Sequence, residues 1–168
     1  MKIRLSLCPL ALAACMVVSA APTYAATSTP ASMSEPASAN ALARDDWQLQ
    51  DAVDSSGKRL GALFGLPERP LQLDFADGRI HVRNACNGIG GSYLIVDGHL
   101  EVAPTMQTMM ACHDPTLMQR EATIKSVLRS KPTLILSHEG ATPSLTLAAD
   151  DGTTLTFAGH PRRGIDQH

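Results

Sequence analysis

Two cysteines, Cys86 and Cys112, constrain this chain more than any other feature. They stand about 26 residues apart, and a bond between them would close a loop that any fold must bring together. The same stretch, Asn84 to His113, carries a glycine-dense turn, Cys86-Asn87-Gly88-Ile89-Gly90-Gly91. It also carries a methionine cluster, Met106, Met109 and Met110, that runs into the second cysteine. Whether such thiols pair depends on the compartment, so the N-terminus bears on the question first.

Residues 1–25 read as an export signal. Lys2 and Arg4 precede an uncharged apolar run from Leu5 to Ala20, followed by small residues. The run is short for a transmembrane helix, which needs roughly 20 apolar residues, and Pro9 interrupts it. Thr23-Tyr24-Ala25 before Ala26 suits an ordinary signal peptidase, which would leave an exported, periplasmic chain. The alternative is Leu12-Ala13-Ala14-Cys15, a lipobox-like run in which Cys15 would be lipidated. The product would be an outer-membrane lipoprotein that meets the membrane only through its lipid. Either route exposes Cys86 and Cys112 to oxidising conditions, where two thiols in a small domain tend to pair. Chain entropy would then contribute about 3.5 kcal/mol.

The sequence has 14 basic and 16 acidic residues. Removing Lys2 and Arg4 with the signal leaves a mature chain more acidic still, with no basic cluster. Nucleic-acid binding is thereby excluded, since phosphate neutralisation needs a concentrated positive face. Residues 26–44 are mostly Ala, Ser, Thr and Pro, with Asn40 and few charges. That composition predicts a flexible linker.

From Asp45 the pattern becomes that of strands. Trp47 and Leu49 alternate with polar residues, and Asp54-Ser55-Ser56-Gly57 makes a turn. Leu60 to Leu66 is glycine-interrupted and predicts a loop or irregular strand. Leu71, Leu73 and Phe75 turn at Asp77-Gly78 and return through Ile80 and Val82. A second hairpin runs from Tyr93 to Val96, turns at Asp97-Gly98 and returns through Leu100 and Val102. Asp-Gly pairs mark such hairpins because both central residues need positive φ. A further strand is expected over Thr105 to Ala111, and three more around Leu134, Leu145 and Leu155. Between them lies one helix, capped by Asp114, opened by Pro115 and stopped at Lys131-Pro132. Leu117, Ile124, Val127 and Leu128 form its apolar face, with Arg120, Lys125 and Arg129 expected to point elsewhere. The expected fold is mainly β, of α+β type. It is an antiparallel curved sheet or partly open barrel of about eight short strands closed by one α-helix. Residues 45–158 would fold, and residues 159–168 would be a frayed tail.

The chemistry is sparse. Met106, Met109, Met110, Cys112 and His113 are soft ligands that suit copper(I). Yet Met106, Thr108 and Met110 alternate, as on one face of a strand, and a core poor in aromatics uses methionine as filler. His81 and His113 lie near the cysteines in sequence, but nucleophile and base are defined by contact in space. Asp45-Asp46 and Asp150-Asp151 read as solvated strand ends. Gly88-Ile89-Gly90-Gly91 precedes a strand, not a helix, so it is no nucleotide fingerprint. Neither a catalytic set, a resident metal nor a cofactor is expected.

These residues also carry a likeness. Cys86-Asn87 followed by Gly91 and Tyr93 resembles the G-C-N-x-x-x-G-x-Y signature of the META domain, the family of the heat-shock protein HslJ. Thr108-Met109-Met110-Ala111-Cys112 resembles its T-R-M-A-C segment, with Met109 where the family has arginine and Ala85 where it has glycine. Trp47, Glu121 and the last two strands also fit. The resemblance implies a small antiparallel sheet curved around one helix, similar also to type III secretion pilot lipoproteins, which have an apolar cavity. It implies an exported or membrane-anchored protein of the stress response, with no catalytic residue to assign. The expected function is a non-enzymatic envelope domain that binds a partner protein or apolar ligand. The alternatives are a periplasmic copper-binding protein and a thiol redox protein.

Overall fold

The computed structural model describes residues 37–162. The signal segment with Cys15, residues 26–36 of the linker and residues 163–168 of the tail lie outside them.

Both Asp-Gly pairs make the mirror-image turn that their chemistry predicts. Asp77 and Gly78 have φ of 50° and 69°, and Asp97 and Gly98 have 50° and 79°. The first joins β2 (Gln72–Ala76) to β3 (Arg79–Arg83), and the second joins β4 (Ile89–Val96) to β5 (His99–Val102). The remaining strands are β1 (Asp45–Val53), β6 (Met106–Gln107), β7 (Thr133–Ser137), β8 (Ser144–Ala148) and β9 (Thr154–Pro161). The strands run antiparallel in the order β3-β2-β1-β9-β8-β7-β5-β4, and β3 also pairs with β4. That extra pairing closes the ring, where the sequence left a partly open barrel as one outcome. The narrowest seam is β5–β7. It has one register pair, His99 with Thr133, flanked by Leu100 N–H to Pro132 O and Leu134 N–H to Gly98 O. β6 adds two residues beside the start of β4. Alternate residues of the strands point inward, and Trp47, Phe75, Phe157 and a set of leucines fill the interior. A strand buried on one face has its register specified by that alternation.

The helix forms where its signals stand. α2 (Pro115–Arg129) has Asp114 as N-cap, accepting from Thr116 N–H at 2.8 Å. It ends before Lys131, whose φ is 53°. Ile124, Val127 and Leu128 are buried, and the helix packs on β5 and on a 3-10 turn at Gly61–Phe64. No helix among the described residues is long and apolar enough to cross a membrane.

Several boundaries move. The predicted linker over 26–44 ends early, because a helical turn, α1 (Ala39–Leu42), buries Ala41 and Leu42. Trp47 holds it by donating its indole N–H to Leu42 O at 2.9 Å. Leu60 to Leu66 is neither loop nor strand but contains the 3-10 turn, with Leu63 buried. The strand expected over Thr105 to Ala111 shrinks to Met106–Gln107. The frayed tail expected from residue 159 is folded through Arg162: β9 runs to Pro161, and Arg162 bonds Asp46 at 3.0 Å. Gly159 lies against Trp47 and Pro143, where a Cβ would come within 3.0 Å and 2.9 Å of their side chains. That contact is invisible to a local reading of the tail.

Two turn aspartates give the fold an acid-sensitive component. Asp54 accepts from the Ser56 hydroxyl, the Ser56 amide and the Lys58 amide, which lower its pKa below 3.8. Asp151 is lowered from 3.8 as well, chiefly by the Thr153 amide. A carboxyl depressed on folding contributes stability above its unfolded pKa and loses it as pH falls through the folded value. The double variant Asp54→Asn, Asp151→Asn should therefore be less stable than the parent at pH 7. In urea titrations that gap should shrink steadily below about pH 4. A gap unchanged at pH 2 would rule out the charge as its source.

Candidate binding groove

Asn87 stands at the foot of β4, and its side chain joins three segments that are distant in sequence. Its backbone N–H and its Nδ2 both donate to Glu121 Oε2 of α2, each at 3.0 Å. Its Oδ1 accepts from Met110 N–H at 2.7 Å and from the Thr108 hydroxyl at 3.0 Å. The Thr108 hydroxyl in turn accepts from Gly88 N–H at 3.2 Å. Residues 108–112 have no regular secondary structure, so this amide stands in for a partner strand. Cys86 and Cys112 complete the attachment. Their sulfurs are bonded at 2.06 Å with Cα atoms 5.9 Å apart, a separation suited to a disulfide.

The strap so held and α2 border a groove of about 410 Å³. Met110, Ala111 and the disulfide line one side, and Met118 and Ala122 the other. Glu121 and Lys125 also line it, with Lys125 Nζ 3.6 Å from Glu121 Oε1, and Lys125 also donates to Gln107 Oε1 at 2.6 Å. The groove is apolar with one internally compensated ion pair, a lining suited to an apolar guest.

Of the sequence-derived residues, Cys86, Asn87, Met110, Ala111, Cys112 and Glu121 line this groove, and Thr108 is bonded to Asn87 behind it. Trp47, Gly91 and Tyr93 do not line it. Trp47 fills the barrel, and Tyr93 packs edge-on to Phe75 with ring centres 5.1 Å apart. Burial raises the Tyr93 phenol pKa. Gly90 and Gly91 belong to β4 rather than to a turn. A Cβ on Gly91 would sit 3.2 Å from Ala103 O, and one on Gly90 3.0 Å from the His81 ring. Close approach, not positive φ, explains both glycines.

The methionines overturn the expectation that they fill the core. Met106, Met109 and Met110 are 72, 96 and 63 % exposed. The barrel interior is already filled from its strands, and the strap runs outside it. The copper set loses Cys112 as a thiolate, because its sulfur is bonded to Cys86. His81 lies over Gly90 on the outer sheet face, in a row with Asp74, Asp46 and His160 on successive strands. There Arg83 and Gln72 bond Asp74, and Arg162 bonds Asp46. Among the described residues no three His, Cys, Asp or Glu side chains are grouped to hold a metal.

Two residues of α2 were misplaced or undervalued by their chemistry. Arg120, expected to point away, is fully buried. Its Nη1 donates to Arg69 O at 2.9 Å and Asn84 O at 2.8 Å, while Nε and Nη2 have no protein partner. Burial, aided by the nearby Arg69 charge and opposed by Asp114, lowers its pKa. Glu121 is buried beside it. The signal was spacing: positions 120 and 121 fall three and four residues after Leu117 and before Ile124, on the inward stripe whatever their polarity.

A sequence model of the META domain matches residues 40–161. The fold is similar to the NMR structure of a protein from Burkholderia xenovorans. That protein is 23 % identical with a TM-score of 0.66, over 84 % of this chain and 100 % of the other. A second NMR structure is 24 % identical with a TM-score of 0.53, over 73 % of this chain and 94 % of the other. These likenesses speak to the fold alone. No curated protein matches.

Proposed function

The chain belongs to the META domain family, and on that footing we propose that it is a non-enzymatic, exported envelope domain whose groove takes an apolar segment of a partner protein. One observation carries this: a concave, methionine-lined surface held open by a disulfide and a buried amide. Methionine is flexible and polarisable, and suits surfaces that accept varied apolar side chains. The barrel interior favours no guest, since aromatic and aliphatic side chains fill it. Catalysis is disfavoured because Glu121 is engaged by both Asn87 and Lys125. Export and a role in envelope stress rest on residues 1–25 and on the family resemblance.

Panning random displayed peptides against the full chain tests the groove. Peptides rich in apolar residues should emerge, with Kd on the order of 10 µM. The double variant Met110→Glu, Met118→Glu should lose them at least tenfold with its fold retained. Selection of polar peptides, or binding indifferent to both substitutions, would overturn it.

The exposure of Met106, Met109 and Met110 favours a second reading, copper(I) binding by thioethers with His113. Competition with a chromogenic copper(I) chelator decides it: no stoichiometric uptake ends that reading. A thiol redox role would require the Cys86–Cys112 bond to exchange with glutathione.

A further inference from the structure

Of the seven methionines in the sequence, Met1, Met16 and Met33 lie outside the described residues. The other four, Met106, Met109, Met110 and Met118, are exposed by 56 to 96 % and fall within one short stretch. The core cluster contains none of them. Methionine is ordinarily among the more buried residue types. Here every described thioether is outside, two of them line one groove, and the described cysteines are already oxidised to a disulfide.

We propose that these four thioethers are a modification site, converted to sulfoxides by hydroperoxides or hypohalous acids with the fold left intact and the groove made polar. In the peroxide reaction a sulfur lone pair attacks one peroxide oxygen and the O–O bond breaks. The displaced oxygen takes up the proton of the attacked oxygen and leaves as water, or as an alcohol from an alkyl hydroperoxide, so sulfur loses two electrons and the peroxide accepts them. With a hypohalous acid the sulfur attacks the halogen and displaces hydroxide; water then adds to sulfur as halide and two protons leave, and the two electrons end on the halide. Each product is a polar, chiral side chain that methionine sulfoxide reductases can return to the thioether.

Three observations separate this site from ordinary oxidative damage. Damage unfolds proteins by making a buried thioether polar, and the core cluster has none. The strap is anchored by the Met110 backbone N–H, not its sulfur, so the oxygen leaves that attachment in place. Two of the four, Met110 and Met118, line the groove, so their oxidation changes its surface directly. Oxidation would therefore act as a switch on apolar binding. That regulatory half rests on the groove reading above; the modification half does not.

The test uses the full chain and limiting hydrogen peroxide or hypochlorous acid, with sulfoxides mapped by peptide mass. All four sites should oxidise at close to the rate of free methionine, and the melting temperature should change by less than about 2 °C. Affinity for the selected apolar peptides should fall at least tenfold and return after reductase treatment. The double variant Met110→Leu, Met118→Leu should keep its affinity through the same treatment. Oxidation much slower than free methionine, or unfolding on oxidation, overturns the modification site. Sulfoxides formed without loss of peptide affinity overturn the switch while leaving the groove reading intact. If no peptides are selected at all, the groove reading and with it the switch fail, and the mass map alone judges the modification site.

Discussion

Cys86→Ser and Cys112→Ser should each lower the melting temperature by on the order of 10 °C, and the double variant by little more. Both remove one shared bond, which joins residues 26 positions apart. In the chain-entropy account that bond contributes about 3.5 kcal/mol, and a domain of this size shifts by roughly 3–5 °C per kcal/mol. Cys86→Ser should be slightly the worse, because Cys86 is buried and Cys112 only half-buried. A buried serine hydroxyl also needs a partner. Thermal scans with and without reductant provide the control: reduced parent protein should melt with the variants. Strictly additive losses would mean that the cysteines act separately, against the geometry.

Asn87 should be the most sensitive polar position. Asn87→Ala removes the acceptor of Met110 N–H and one of the two donors to Glu121. The expected cost is about 3 kcal/mol, since each buried group left unpaired costs about 1–3 kcal/mol. Asn87→Asp is nearly the same shape and should cost as much or more at neutral pH. It sets a carboxylate against Glu121 Oε2, where the amide donates at 3.0 Å, and like charges at that distance repel strongly with little water between them. Thr108→Val, which removes a single hydroxyl from the same network, should cost about 1 kcal/mol. Urea titrations give the energies, and hydrogen exchange at the Met110 amide gives the location. That amide should be protected in the parent and fast in Asn87→Ala; Asn87→Asp keeps an acceptor for it and loses instead the side-chain donation to Glu121. An Asn87→Asp protein as stable as the parent would show that the Asn87 side-chain donation to Glu121 contributes little, and an Asn87→Ala protein as stable as the parent would show that the strap does not depend on the Asn87 oxygen.

The two predictions concern residues that differed in legibility. Cys86 and Cys112 could be paired from compartment alone, because so few partners were available. Asn87 could not be recognised from its neighbourhood, where a polar residue among glycines suggests a turn. Its bonds go to positions 108, 110 and 121. The family signature did place Asn87, Thr108, Met110 and Glu121 in one set, and they are one contact network. Arg120 was hidden differently. Its spacing put it on the inward stripe of α2, but its charge argued outward, and the structure buries it under the carbonyls of Arg69 and Asn84. The methionines are the converse case, apolar by type and exposed by position.

What the chain determined alone were the features encoded within a few residues: the two Asp-Gly hairpins, the Asp114 cap with Pro115, and the stop at Lys131-Pro132. Backbone dihedral preferences and caps act over one turn, so their information is local. Closure of the ring by β3 and β4, the folding of residues 39–44 and 159–162 onto the barrel, and the choice of which polar side chains lie inside were decided only by tertiary structure. Burial depends on what remains open once every other element is placed, and neither composition nor periodicity in one segment records that.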